Sequence, residues 1–443
     1  MKNNHTDKNK HEKHSASSKT SRREFLRIAG LSLGGLTAAQ FVPWAIPSAW
    51  ASDKKVMTVL GPVDSSKIGM TSMHEHVYTD YRVVANAVKG LWKSVDKSMY
   101  PVPPDTPFHT ENLGYLLQGG AIFTPEQVDL TDIDLMTEEL SLFKKLGGGT
   151  IVDCSPHFQG RPEDYPEKLA ELSKRTGLNI IAATGAHYAS IWSDKMKAMS
   201  QKQLTALFVK DVTKGIYETR IKAGNIKSAP NFWDDSERKG VLACMEASNE
   251  TGVMFTLHHG HHMNRETIDQ MHEEIEKKGL NPERTIYAHA QGTVNLLDAV
   301  ELVRDRHARQ KDTDWLKKYL DRGYTLSFDT FGINWKTALD GFMKLGDSKM
   351  EGTEVLGEVG GRTLTGNMDE EDMSVVYELA RAGYSKQIVV AHDYFLRLSL
   401  KKYGGYGYGR LLNYVYPILK KAGLSDAQLH DIFVGNPARL LTV

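Results

Sequence analysis

Cysteine is nearly absent: Cys154 and Cys244 are the only two in 443 residues. Two cannot build a disulfide framework or a Cys-type zinc site. Neither sign of charge is in excess, since Lys+Arg and Asp+Glu each number 55. Without a basic surplus to displace phosphate counterions, nucleic-acid binding by bulk positive charge is excluded. No G-x-G-x-x-G follows the first apolar run. No G-K-[ST] follows the glycine-rich stretch at 404–409, so it is not a P-loop. Beyond residue 51 no apolar run is long enough to span a bilayer. What the chain does have is 40% apolar and 25% charged residues. That balance fits a large buried core and excludes a disordered chain.

The first fifty residues read as a separate object. Residues 1–20 are polar, Arg22 and Arg23 follow, and an apolar stretch from about Ile28 to Trp50 ends in Ala49-Trp50-Ala51. This is the pattern of a twin-arginine signal peptide over residues 1–51, and it places residues 52–443 in the periplasm or outside the cell. The alternative is an uncleaved anchor, but Gly30, Gly34, Gly35, Pro43 and Pro47 dilute the apolar stretch. His5, His11 and His14 read as part of a solvated n-region. Residues 1–51 hold eight Lys+Arg and three Asp+Glu, which leaves 47 and 52 on residues 52–443, a net charge of −5. The twin-arginine route exports folded proteins, which suits a chain that takes up a metal before export.

Eight short apolar runs recur at 68–73, 150–154, 179–184, 223–227, 253–257, 285–288, 324–328 and 388–391. Segments with apolar residues at three- and four-residue spacing lie between them, such as 165–175, 203–217, 265–278 and 370–382. Gly177, Gly252, Gly279, Gly323 and Gly383 sit where a helix would close before the next strand. Continuous apolar strands alternating with helices mean an α/β protein with a parallel sheet covered by helices. Eight repeats point to a TIM (β/α)8 barrel, with an open doubly wound sheet as the alternative. Long connections follow the first and seventh strands, at 77–130 and 331–373. Both fall on the face where barrel active sites are built, so they read as substrate-covering loops, or alternatively as decorations for oligomer contacts.

Metal-ligand residue types gather at the strand ends. The first strand ends in His74-Glu75-His76, and alternation puts the two histidines on one face with Glu75 on the other. The fifth ends in His258-His259-Gly260-His261-His262, where alternation turns only His258 inward. The sixth ends at His289 and the eighth at His392-Asp393. One buried histidine is ordinary core; four facing one axis suit a divalent cation. Lys227 ends the fourth strand. A buried lysine disfavours its charge. Its free amine could add carbon dioxide to become an anionic carbamate ligand, or it could remain an amine that pairs with Asp393 or meets substrate.

With these residues in view, the chain resembles the phosphotriesterase family of the amidohydrolase superfamily. The likeness rests on TVLGPV…GMTSMHEHVYTD, AGNIKSAP, FTLHH, IYAHAQGT, QIVVAHDYF and GNPARLL, in order along residues 56–443. It implies a TIM barrel with two divalent metal ions, usually zinc. His74, His76 and Asp393 would hold the more buried ion and His258 and His289 the more exposed one. Lys227, as N6-carboxylysine, would bridge them with a hydroxide. Asp393 would be the catalytic proton acceptor, and relatives suggest a homodimer.

Some positions depart from the family pattern. Organophosphate hydrolases of the family carry a histidine where Thr330 stands and an aspartate where Gly292 stands, so their proton relay is missing. Acyl-homoserine-lactone members carry an arginine at the Thr330 position. His187 replaces an aromatic after the third strand, and with Tyr188 it is a candidate substrate contact. The 404–412 loop and FDTFG (328–332) are similar to phosphotriesterase-homology and sugar-lactonase-like members. Arg410 in that loop is a candidate for an anionic substrate group, or a solvated surface charge. The expected function is a zinc-dependent hydrolase of a small lactone or other ester, by a metal-bridging hydroxide. The alternatives are a phosphotriester hydrolase (aryldialkylphosphatase) and a non-catalytic metal-containing binding protein.

Overall fold

The computed structural model describes residues 54–88, 107–117, 124–157, 160–260, 263–293, 313–333 and 369–443. The signal segment lies outside the described residues. So do His261, His262 and much of both long connections. Ten strands are described. A hairpin of β1 (Lys55–Thr58) and β2 (Gly61–Asp64) precedes β3 (Met70–Glu75), β4 (Gly148–Asp153), β5 (Asn179–Ala186) and β6 (Ala223–Ser228). β7 (Phe255–Leu257), β8 (Thr285–Tyr287), β9 (Thr325–Phe328) and β10 (Ile388–Val390) follow. β3 to β10 form one parallel sheet in sequence order. Just past β10 the Asp393 N–H donates to the His74 carbonyl of β3 at 3.0 Å, so the last strand returns beside the first. The sheet curls into the expected barrel with helices between its strands. No helix among the described residues is long and apolar enough to cross a membrane.

The local signals act as their chemistry requires. The helix Tyr165–Thr176 ends on Gly177, which takes φ of 68°, and Asp235–Thr251 ends on Gly252 at 73°. Both positions need the left-handed conformation that glycine adopts without a Cβ penalty. At helix starts Asp132, Ser200, Asp234 and Asn264 each accept a backbone N–H in the first turn.

The barrel interior is layered. Val152, Ile181, Met254, Ile286 and Val389 form an apolar floor. Val56 of the hairpin and Leu440 and Leu441 of the last helix pack beneath it. Full burial of each such side chain is worth about 1.5–3 kcal/mol. A thin polar layer follows, in which Thr256 Oγ1 donates to Asn225 Oδ1 at 2.9 Å and Asn225 Nδ2 lies 3.3 Å from Cys154 Sγ. Met254, Thr256 and His258 show the ascent along one strand from floor to mouth by period-two alternation.

A β-bulge marks β3, where Ser72 pairs with Ile151 but Glu75 with Asp153. The extra residue puts Ser72 and Glu75 on one face, and their side chains hydrogen-bond. Glu75 is fully buried and faces away from the mouth, toward the seam where β10 meets β3. Its carboxylate accepts from His392 Nδ1 at 2.6 Å, from the His392 N–H at 3.0 Å and from the Tyr394 N–H at 3.3 Å. His392 therefore points outward, as alternation requires, and clasps the seam.

Candidate metal centre

The strand ends bring the imidazoles, the lysine and the aspartate to one place. His74 Nε2 is 2.8 Å from Lys227 Nζ and 3.6 Å from Asp393 Oδ1. His76 Nε2 is 3.1 Å from the same Asp393 oxygen. His258 Nδ1 and His289 Nε2 approach to 2.6 Å, and the His74 and His289 rings lie 4.9 Å apart. Two groups have donor atoms within 4.8 Å of one another and could hold a metal ion: His74 with His76 and Asp393, and His74 with His289 and Asp329. Imidazole nitrogens and carboxylate oxygens are the donor set of zinc and similar divalent cations.

The carboxylate of Asp329 organises this cluster. It is fully buried at the end of β9. Oδ2 lies 3.0 Å from His74 Nδ1 and accepts the His289 N–H at 3.2 Å. Oδ1 lies 2.7 Å from His289 Nδ1 and accepts from Gln291 Nε2 at 3.1 Å. With both Nδ1 atoms engaged, His74 and His289 present Nε2 to the cluster. Asp329 therefore orients both imidazoles. On the far side, His76 Nδ1 is 2.9 Å from Ser155 Oγ and 3.2 Å from Tyr81 OH, so its Nε2 also faces inward.

Backbone strain collects here. His289 and Asp393 take φ of 55° and 53°, conformations that cost a side-chain-bearing residue about 1–2 kcal/mol. The His289 N–H is held by Asp329 and the Asp393 N–H by the His74 carbonyl. Such strain is typical of functional sites.

Electrostatics follow from burial. Burial, then the charge of Lys227, holds His74 well below the usual histidine range, and burial takes His76 down to about 3. Both imidazoles are therefore neutral, as metal ligation requires. Burial also lowers the Lys227 ammonium. For Asp329 burial opposes ionisation, but His289 and His74 outweigh it and hold the carboxyl well below its ordinary value. Asp393 goes the other way, with burial pushing it up to about 7.

The remaining candidates fall in different places. His187 follows β5 and its ring is 6.2 Å from that of His258, so it borders the cluster, with Tyr188 against it at 4.3 Å. Arg410 has a fixed partner, since its Nε donates to Asp369 Oδ2 at 2.7 Å and its guanidinium lies over Tyr414 and Tyr406. That is the environment of a structural surface cation, and its contacts do not include the cluster. His259 turns away from the mouth, with Nε2 2.7 Å from His272 Nε2. Thr330, at the relay position, faces Asp372. The sequence pattern alone assigned no role to Asp329 or to Glu75. Asp329 carried the same signal as its neighbours, a carboxylate at a strand end, but its partner His74 lies 255 residues away.

A parallel barrel with a buried cluster of imidazoles and carboxylates at the carboxyl ends of its strands defines a barrel protein whose mouth could hold a metal ion. The chain belongs to the phosphotriesterase family, whose model matches residues 54–441. It is a hydrolase of that family. It is 26% identical over 403 residues to the N-acetyltaurine hydrolase of Dictyostelium discoideum, covering 88% of this chain and 98% of that one. Among solved structures it resembles a resiniferatoxin-binding protein from Rhodobacter sphaeroides. That match has a TM-score of 0.71 and 24% identity, over 87% of this chain and 94% of that one. It also resembles the phosphotriesterase homology protein of Escherichia coli, solved with phosphate in its active site. There the TM-score is 0.57 and the identity 20%, over 85% and 99% of the two chains.

Proposed function

We propose that this chain is a metal-dependent hydrolase that cleaves a small carboxylic-acid derivative, with an N-acyl amide as the first candidate substrate. The observation that carries this reading is the convergence of His74, His76, Lys227, His258, His289 and Asp393 at the barrel mouth. The amide bond enters from the relatives named N-acetyltaurine hydrolase, which the chain matches along nearly their whole length. The likeness to lactonase-like members of the family favours a lactone or other ester, which is the second reading because the same acyl carbon is attacked.

In this reading His74, His76 and Asp393 hold one zinc ion and His258 and His289 a second. The ions, when bound, supply a water of lowered pKa and Lewis-acid polarisation of the acyl oxygen. Lys227 is carboxylated: its amine nitrogen bonds the carbon of carbon dioxide and releases a proton, leaving an anionic oxygen pair. Burial supports this by disfavouring the ammonium. Asp393 takes the proton of the attacking water and returns it to the leaving nitrogen or oxygen. Asp329 keeps two imidazoles in the ligating tautomer. His187 and Tyr188 meet the substrate beside the cluster. Residues 1–51 direct export by the twin-arginine route to the periplasm or beyond. Amino-terminal sequencing of secreted protein would check this, with a start near Ser52 expected and an intact Met1 contradicting it.

Zinc-loaded protein assayed on N-acetyltaurine, sugar lactones, aryl acetates and a dialkyl aryl phosphate tests the reading. Acyl substrates should turn over faster than the phosphotriester by orders of magnitude. A faster phosphotriester would overturn it. Saturable binding without turnover of any substrate would favour a metal-containing binding protein.

A further inference from the structure

Glu237 stands in the first turn of the Asp235–Thr251 helix and is 3% exposed. Three residues after the cap Asp234, a glutamate would ordinarily turn back to the cap's own N–H. This one reaches elsewhere. Oε1 accepts the Ala189 N–H at 3.1 Å, and Oε2 accepts the Phe232 N–H, with a further bond from the Asn231 N–H. Ala189 lies two residues beyond His187 in the turn that leaves β5. Asn231 and Phe232 belong to the turn that leaves β6.

The β6 turn in turn supports the next one. The Gly260 N–H donates to the Pro230 carbonyl at 2.9 Å. A Cβ on Gly260 would lie 2.3 Å from Asn231 Cα, so the turn after His258 rests directly on this backbone. One buried carboxylate thus ties together three successive turns at the mouth. His187 is held within them. Its carbonyl accepts from Trp192 Nε1 at 2.6 Å, while its own Nδ1 is buried and has no hydrogen-bond partner among the described residues. A buried, unpaired imidazole nitrogen costs free energy unless something fills the role of partner.

We propose that Glu237 is a positioning residue that sets His187 beside the metal cluster, where His187 hydrogen-bonds the acyl oxygen or leaving group of the substrate. The proposal rests on the hydrolase reading above. Burial pushes the Glu237 carboxyl up to about 8, so what holds the turns is the acceptance of these backbone N–H bonds by its two oxygens. Glutamine keeps the shape of Glu237 but turns an NH2 toward backbone N–H groups, so one of the turns must let go. Misplacing a substrate-orienting group by about an ångström costs up to about 100-fold in rate.

The test uses the full zinc-loaded protein with E237Q, H187A and the double variant. Peptide-level hydrogen exchange is measured with kcat/KM and metal content. E237Q should raise exchange across residues 186–192 by about tenfold or more, leave β3 and β10 unchanged and retain its metal. Its kcat/KM should fall on the order of tenfold or more, and by nothing further when His187 is already alanine. Unchanged exchange at 186–192, or losses that multiply in the double variant, would overturn the proposal. Should E237Q fail to fold, W192F releases the same turn from its other side and the same non-additivity with H187A is expected; multiplying losses would again overturn it. A wild type that turns over none of the substrates refutes the hydrolase reading, while exchange still decides whether Glu237 holds the turn.

Discussion

Asp329→Asn probes the centre without touching a proposed ligand. The carboxylate receives His74 Nδ1 and the His289 N–H on Oδ2, and His289 Nδ1 and Gln291 Nε2 on Oδ1. Asparagine can accept on one side only. The side with the main-chain N–H has a donor that cannot reverse, so the amide oxygen takes the Oδ2 place and keeps His74. The new NH2 then faces the Gln291 NH2, which loses its acceptor because Gln291 Oε1 already takes the Asp329 N–H, and His289 Nδ1, which must become the acceptor. That tautomer puts the proton on His289 Nε2, the atom meant for the metal. Loss of such an orienting partner typically weakens metal affinity 10- to 100-fold, or about 1.4–2.7 kcal/mol. Competition with a chromophoric chelator should therefore show one ion released 10- to 100-fold more readily and the other within about threefold of wild type. Melting of the metal-free variant controls for global damage. Two wild-type affinities, or equal loss of both ions, would refute this account of Asp329.

Other outcomes follow from the same geometry. Asp393→Asn should lower kcat by about 10²–10⁴-fold, as for loss of a positioned proton acceptor, and undiminished turnover would contradict its role. Zinc uptake by metal-free protein should weaken below about pH 7. His76 stays neutral to about 3, but Asp393 binds a proton near 7 and that proton competes with the ion. Titration calorimetry showing flat affinity between about pH 7 and 5.5 would contradict this. For the metal-free fold the sign reverses. Folding raises the Asp393 pKa above its unfolded value of about 3.9, so this group's contribution to stability declines as pH rises from about 4 to 7 and is level above. Glu75→Gln should destabilise the fold by about 1–3 kcal/mol in chemical denaturation, because the amide cannot accept from all the donors that its carboxylate accepts in the buried seam; an unchanged midpoint would refute that.

The barrel was legible because its signals are local. The run at 179–184 became Asn179–Ala186 and the helix at 265–278 became Arg265–Lys277, since period and capping glycine lie within each segment. The β1–β2 hairpin was missed. Four-residue strands with Pro62 in one of them give too short a pattern to read. At the site, alternation alone separated His258, which faces the cluster, from His259, which turns away to His272. It could not show what supports them. Asp329 meets His74, and Glu75 meets His392 across 317 residues, through closure of the barrel and not through neighbouring sequence. Arg410 shows the opposite limit: a cation in a glycine-rich loop reads equally as an anion site or a surface charge, and its pairing with Asp369 appears only in the structure.

The most direct test is metal analysis of protein produced with zinc and bicarbonate, paired with its hydrolytic rate before and after chelation. Two equivalents of zinc per chain, activity lost with the metal and regained only when zinc and bicarbonate are restored together, is the result expected. Protein that folds and hydrolyses its substrate equally well with no metal would contradict the account at its root.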